Sequence, residues 1–366
     1  MFWEEVIGQE RAKAHLRQML DEGRVPHALM LCGPQGCGEL ALALALAREL
    51  LTVPGNEEQT ARLAHRYHHP DLYFVFPTIK KKTSDAFMTE WRTLITQRPY
   101  CLDSDWLAAM GAEREQAVIY EAESQRVLSA LSLKSSMGGR KVLIVWRAEK
   151  MNQVCANKLL KLIEEPPEAT VIIFVCNEPD KLLPTIQSRV QRIQLPPLTE
   201  DEIAAALTEQ RGTAPDRAAR LAHLSRGSMA VALSMVDTGG DDAEYLEYFI
   251  ILMRKAYVRQ VDELRRWAFS MAELPRERQK AFLDFCCRFV RENFMFNFRQ
   301  QQLVYMSEEE EQFATKFARF INEDNVLSIM DELDTACRDV EQNVNSKMVF
   351  FDMALQFIIL LIPKNR

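Results

Sequence analysis

The chain has 366 residues, 48% hydrophobic and 27% charged, which is ordinary for a soluble protein and long enough for two or three domains, each with its own core. A formal net charge of -7 excludes a protein that coats nucleic acid by bulk charge, leaving only a local basic patch open. None of the eight cysteines forms a C-x-x-C pair, so they read as buried thiols of a reducing cytosol. The acidic start MFWEEVIGQERAK lacks the basic end and apolar core of a signal peptide, and the longest apolar run, Phe357 to Ile362, is too short to span a bilayer. A cytoplasmic protein with no membrane partner is expected.

Gln9 to Glu22 carries Ala12, Leu16 and Leu20 at helical spacing and predicts a first helix. Arg24-Val25-Pro26-His27 then leads into an apolar run, Ala28 to Cys32, that predicts a strand. Next comes Gly33-Pro34-Gln35-Gly36-Cys37-Gly38-Glu39-Leu40, followed by an alanine- and leucine-rich helical pattern from Ala41 to Leu51. Strand, glycine-rich turn, helix is the setting of a phosphate-binding P-loop, and Gly33, Gly36 and Gly38 fit it. In a working loop the next residue is a lysine that neutralises the β- and γ-phosphates, followed by a Ser/Thr that ligates magnesium. Here Glu39 would repel the γ-phosphate and Leu40 has no ligand atom. The scaffold of a nucleotide site is expected with its electrostatics reversed, although the backbone N–H groups of the turn could still hold a phosphate weakly.

Residues 52–68 read as polar loop and a short helix. His65, His68 and His69 cluster at its end, but histidines without thiolates or a carboxylate at known spacing make a weak zinc case, and no metal is expected. Asp71 to Phe76 predicts a strand between Pro70 and Pro77. Ile79 to Ala117 gives no readable pattern. Its Lys80-Lys81-Lys82 run reads as a solvated turn, with phosphate contact as the other possibility, and it holds Trp91 and Trp106. A helix from Ser124 to Leu133, a turn at Gly138-Gly139 and a core strand from Val142 to Val145 follow. After these come a helix from Lys150 to Glu165 stopped by Pro166-Pro167, a strand from Val171 to Cys176, a short helix from Pro184, and a strand from Val190 to Leu195. This alternation over residues 28–195 predicts an α/β parallel sheet.

Thr199-x-x-Glu202 is a capping box that opens a small all-helical unit running to about Val236, and Thr238-Gly239-Gly240-Asp241-Asp242 reads as a linker. Beyond it Phe282, Phe285, Cys286 and Phe289 share a helix face, as do Phe313, Phe317, Phe320 and Ile321, and Val326, Met330, Leu333 and Cys337. These stripes predict a helical bundle.

A P-loop ATPase also needs a carboxylate pair at the end of a core strand to reach the magnesium. The strand ending at Val145 runs instead into Trp146 and Arg147, which can neither bind magnesium nor activate water. Glu149 lies beyond the strand's end and is a poor substitute base. Asn177 follows the third core strand, where it reads either as a turn former or as a polar sensor residue.

Four segments together resemble the delta-prime subunits of the bacterial DNA polymerase III clamp loader, within the AAA+ superfamily. They are Ile7-Gly8-Gln9-Glu10 with Arg24-Val25-Pro26-His27-Ala28; the GPQGCG turn; Ala156 through Pro167 (ANKLLKLIEEPP); and Leu182 through Arg189 (LLPTIQSR). The resemblance implies an AAA+ α/β P-loop domain over residues 1–197, a small helical lid and linker over 198–240, and an all-helical collar used for oligomerisation over 241–366. It further implies a non-catalytic structural subunit with a degenerate P-loop, part of the DNA polymerase III holoenzyme, that helps load the sliding clamp on primed DNA. Partners would be gamma/tau-type ATPase subunits and the delta subunit, with ATP and magnesium bound by those neighbours rather than by this chain. Ser188-Arg189 matches the family's Ser-Arg-Cys motif, so Arg189 would act as a trans arginine finger in a neighbour's ATP site. The alternative, an active AAA+ motor subunit, is opposed by Glu39, Leu40, Trp146 and Arg147.

The chain departs from the family pattern at three places. Val190 replaces the motif's cysteine, residues 41–100 lack the cysteines of the family's zinc module, and Gly227 to Val231 lacks the second sensor arginine. Arg226, just before that stretch, reads as a helix-end cation.

Overall fold

Among the described residues the strands are β1 Ala28–Cys32, β2 Leu72–Val75, β3 Lys141–Trp146, β4 Thr170–Cys176 and β5 Gln191–Gln194; the first four are apolar runs, and β5 buries only Ile193. The computed structural model describes residues 1–52, 63, 67–113, 115–237, 241–298, 306 and 308–361. All neighbouring strands are parallel, in the order β2-β3-β4-β1-β5. A parallel sheet is stable when both faces are covered, and β1, β3 and β4 are buried at every position. Leu29, Leu31, Ile144, Trp146 and Ile173 point to one face, and Met30, Leu143, Val145 and Phe174 to the other.

Among the described residues these helices accompany the sheet: α1 Glu10–Asp21, α2 Glu39–Leu51, α3 Met88–Gln97, α4 Asp103–Ala109, α5 Glu121–Ser132, α6 Gln153–Glu164 and α7 Pro184–Gln187. The side chains of α2 are buried nearly all round, which explains why its sequence has no polar stripe. Val127 and Leu131 of α5 and Leu159 and Ile163 of α6 cover the opposite face. Asn152 caps α6 by accepting the Cys155 N–H at 2.8 Å.

The segment 79–117 that the sequence leaves unread is a short 3-10 turn, Ser84–Phe87, followed by α3 and α4. Its tryptophans meet β2 and β3. Trp91 lies 4.6 Å from Phe76, 5.2 Å from Trp106 and 4.9 Å from Trp146, ring centre to ring centre. The Trp106 indole N–H donates to the Pro77 carbonyl at 2.7 Å. Lys80, Lys81 and Lys82 are exposed, the first two in left-handed backbone, with Lys80 paired to Glu115 at 3.1 Å and Lys82 over the Phe87 ring.

Three further helices belong to the same compact unit, Met1–Asp237: α8 Glu200–Arg211, α9 Pro215–Leu224 and α10 Met229–Asp237. Thr199 and Glu202 form the expected capping box, and Ile203, Leu207, Ala222 and Met229 join the core that packs on α2.

The second unit, Thr238–Arg366, consists of α11 Asp241–Val258, α12 Val261–Glu273, α13 Arg276–Phe296, α14 Glu308–Phe317, α15 Val326–Glu341 and α16 Ser346–Leu360 among the described residues. Phe282, Cys286, Phe289, Phe350 and Phe357 form its centre. Two details differ from the sequence reading. Asp241 and Asp242 open α11 instead of ending a linker, and α14 stops at Phe317, so Phe320 lies in a 3-10 turn with Ile321 just past it. No helix among the described residues is long and apolar enough to cross a membrane.

Candidate functional site

The glycine-rich turn leaves β1, which lies between β4 and the edge strand β5, and enters α2. Gly36 (φ +77°) and Gly38 (φ +110°) take left-handed conformations that few other residues tolerate. A Cβ at Gly36 would also stand 2.5 Å from Ala230 Cβ and from Ser228 Oγ. The turn therefore has the form of a phosphate loop, with backbone N–H groups directed inward at the N-terminus of a helix.

Those donors are taken by the chain itself. Glu39, the first residue of α2, is buried, and its carboxylate folds back over the loop. Its Oε1 accepts the Gly36 N–H and its Oε2 the Gly38 N–H, both at 3.0 Å. A third donor, Asn177 Nδ2, reaches Oε1 at 2.9 Å. A carboxylate in the first turn of a helix gains roughly 0.3–1 kcal/mol from the helix dipole, and charge-assisted hydrogen bonds add to this. The sequence reading expected Glu39 to repel a phosphate. In the structure it occupies the position a phosphate would need.

Asn177 extends the arrangement across the sheet from the end of β4. Its Nδ2 also donates to the Gly33 carbonyl at 2.8 Å, and its Oδ1 accepts from Arg147 Nη1. Arg147 sits in left-handed backbone (φ +56°) just past β3, a conformation that costs about 1–2 kcal/mol. It is held there by Asp103, 2.7 Å from Nη2, and by Glu149, 3.1 Å from Nη1. Lys150 shares Asp103 at 2.5 Å, and Glu149 accepts the Asn177 N–H at 3.2 Å. Burial alone would lower the pKa of Arg147, but Asp103 and Glu149 outweigh it and hold the guanidinium above its ordinary range. Glu149 thus serves as a partner for a buried cation.

The other altered positions are filled by apolar packing. Leu40, in the first turn of α2, is buried in the core, and Trp146 packs at a tilt against Trp91. Helices α3 and α4 therefore absorb both residues that replace the carboxylate pair, since Trp91 meets Trp146 and Asp103 meets Arg147.

The loop is also covered from above. Ser228 Oγ donates to the Gln35 carbonyl at 2.8 Å, and the Met229 N–H donates to the Gly36 carbonyl at 2.9 Å. Ala230 packs on Gly36, within the stretch that lacks the sensor arginine, while Arg226 is exposed in the turn after α9. Gln9 Nε2 donates to the carbonyls of Cys37 and Pro196, at 3.1 and 2.8 Å. The Tyr100 ring packs beside Gly38, and its hydroxyl accepts the Ile7 N–H at 2.7 Å. These residues do not fit a magnesium-bound triphosphate. Position 39 offers an anion, position 40 no oxygen, and the end of β3 an indole and a guanidinium.

Ser188 and Arg189 lie apart from this network, in the turn between α7 and β5. Arg189 is 41% exposed, its Nε pairs with Glu164 at 2.7 Å, and its Nη1 donates to the Thr185 carbonyl at 3.0 Å and to Ser188 Oγ at 3.3 Å. The guanidinium is tethered at the surface and solvent-accessible.

Of the histidines, His65 lies outside the described residues. His69 is buried, with its Nδ1 accepting the Asp71 N–H at 3.1 Å. Among the described residues no group of three His, Cys, Asp or Glu is arranged to hold a metal ion. Burial lowers the pKa of His69 below its ordinary 6.5 and outweighs the opposing pull of Asp71. The folded chain therefore keeps the ring neutral where the unfolded chain protonates it, so the stability this contributes is full above pH 6.5 and is lost as pH falls towards the lowered value. In urea titrations, His69→Gln is expected to flatten the fall in stability over that acid window, and a slope identical to the unaltered chain's would count against it.

A central parallel sheet in this strand order, a phosphate-type loop after its first strand and a small helical unit over that loop define an AAA+ domain, here with the loop filled from within. The family model described as "DNA polymerase III, delta subunit" matches residues 8–199, and the chain belongs to that family. It is 30% identical over 218 residues to the DNA polymerase III subunit gamma/tau of Mycobacterium tuberculosis, a match covering 58% of this chain and 32% of that one. It is 29% identical over 238 residues to the delta' subunit of Bacillus subtilis, covering 63% and 60%. The Escherichia coli delta' subunit is 28% identical over 219 residues, covering 58% and 55%. The matches thus span between a third and three-fifths of these relatives' lengths. Among solved structures, a gamma subunit-related protein of Thermotoga maritima gives a TM-score of 0.44 at 16% identity, covering 95% of this chain and 99% of that one.

Proposed function

We propose that this chain is a delta-prime-type clamp-loader subunit of DNA polymerase III: a cytosolic, non-hydrolysing member of a hetero-oligomer. In this reading it joins gamma/tau-type ATPase subunits and a delta subunit, helps place the sliding clamp on primed DNA, and offers Arg189 to a neighbour's ATP site. ATP and magnesium belong to those neighbours. The observation that carries the reading is the Glu39 carboxylate on the N–H groups of Gly36 and Gly38, where a nucleotide-binding loop would present them to phosphate. The exposure of Arg189 on a fixed turn supports the second half. The competing reading, a motor subunit, draws on the similarity to gamma/tau subunits but must account for four altered positions.

The test is to purify the chain alone and with gamma/tau-type and delta subunits. The chain alone is expected to bind no ATP in an equilibrium titration and to turn none over, and the mixture to co-elute and hydrolyse ATP. Magnesium-dependent hydrolysis by the isolated chain would refute the proposal, as would failure to enter the complex.

A further inference from the structure

One peptide group links the filled loop to the helical unit above it. The N–H of the Gln35–Gly36 peptide donates to Glu39 Oε1, and the C=O of that same peptide accepts from Ser228 Oγ. Because the peptide is planar, any rotation that frees the N–H from Glu39 also swings the C=O away from Ser228. The next carbonyl, that of Gly36, accepts the Met229 N–H at the first residue of α10. A loop of this kind places several N–H dipoles side by side around one spot, where they repel one another unless an anion lies between them. Here the anion is built in, and the part-buried amide of Asn177 completes its coordination.

We propose that the Glu39 carboxylate is a resident stand-in for a bound phosphate. It holds residues 33–38 in their anion-binding shape and so keeps the Ser228–Ala230 end of α10 fastened to the loop without any added ligand. The inference rests on geometry inside Met1–Asp237 and holds whichever partners the chain has. It makes the unsuitability for nucleotide an active feature, since the carboxylate fixes a conformation as well as excluding a ligand.

The test is Glu39→Ala in the full chain, read by hydrogen–deuterium exchange with inorganic phosphate as the probe. The Met229 amide is expected to exchange about tenfold faster in the variant, the effect of weakening roughly one net hydrogen bond. Added phosphate is expected to restore its protection in the variant and to leave the unaltered chain unchanged. Three results overturn the proposal: equal Met229 exchange in both proteins, faster exchange that phosphate does not reverse, or phosphate protecting the unaltered chain as much as the variant. Should Glu39→Ala fail to fold, Glu39→Gln keeps the bulk but turns an NH2 towards a loop donor. Faster Met229 exchange there supports the proposal, and unchanged exchange overturns it.

Discussion

If Arg189 serves a neighbour's ATP site as proposed, alanine there is expected to lower ATP hydrolysis at that site by about a thousandfold, the scale of losing an arginine supplied in trans. The reconstituted complex should still assemble. In the isolated chain Arg189 is held at the surface, by Glu164, the Thr185 carbonyl and Ser188 Oγ. An exposed ion pair of this kind contributes about 0–1 kcal/mol, so the variant should unfold almost where the unaltered chain does. Glu164→Ala separates the two possible uses of the guanidinium, because it removes the pair and leaves the arginine. If the pair were all that mattered, both variants would behave alike. If Arg189 reaches into a neighbour, Glu164→Ala keeps hydrolysis and Arg189→Ala loses it. Arg189→Lys should fall between, since an ammonium keeps the charge but not the planar fork. Single-turnover measurement on the assembled complex isolates the affected site, and undiminished hydrolysis with Arg189→Ala would remove the finger from the proposal.

Strands β1 to β4 are legible because they are short apolar runs with Gly or Pro nearby, and β1 begins and ends where its pattern does, whereas β5 is mostly polar and buries only Ile193. The altered loop was equally plain from Glu39 and Leu40. What spacing could not show was where Glu39 would turn. A carboxylate beside a phosphate loop reads as repulsion until the backbone shows that it can fold back onto N–H groups of its own turn. Asp103 escaped notice for a different reason. It lies in the stretch from Ile79 to Ala117 that shows no readable pattern, and only the fold brings it to Arg147, 44 residues along the chain. Nor did any periodicity mark Ser228 and Ala230, whose importance comes from lying on Gly36.

Arg147→Met is expected to destabilise the Met1–Asp237 unit by about 3–5 kcal/mol, the cost of removing one partner from a buried charged cluster. Arg147 lies between Asp103 and Glu149 and reaches Glu39 through Asn177, so its loss leaves carboxylates in a low-dielectric interior with Lys150 as the remaining cation on Asp103. With a urea slope of roughly 1–3 kcal/mol per molar, the unfolding midpoint should drop by about 1 M or more. Fluorescence of the adjoining Trp91, Trp106 and Trp146 reports it. Adding Asp103→Asn and Glu149→Gln to Arg147→Met should recover much of the loss, because the charges that lacked a partner are then gone. A triple variant no more stable than the single would show that the guanidinium matters for packing instead. The same reasoning predicts that Arg147→Glu, which places an acid at the end of β3, is worse than Arg147→Met: it adds a further carboxylate to a cluster that already contains Glu39, Asp103 and Glu149. An acid pair therefore cannot be placed at positions 146 and 147 one residue at a time, because the Arg147 guanidinium is also what holds these acids together.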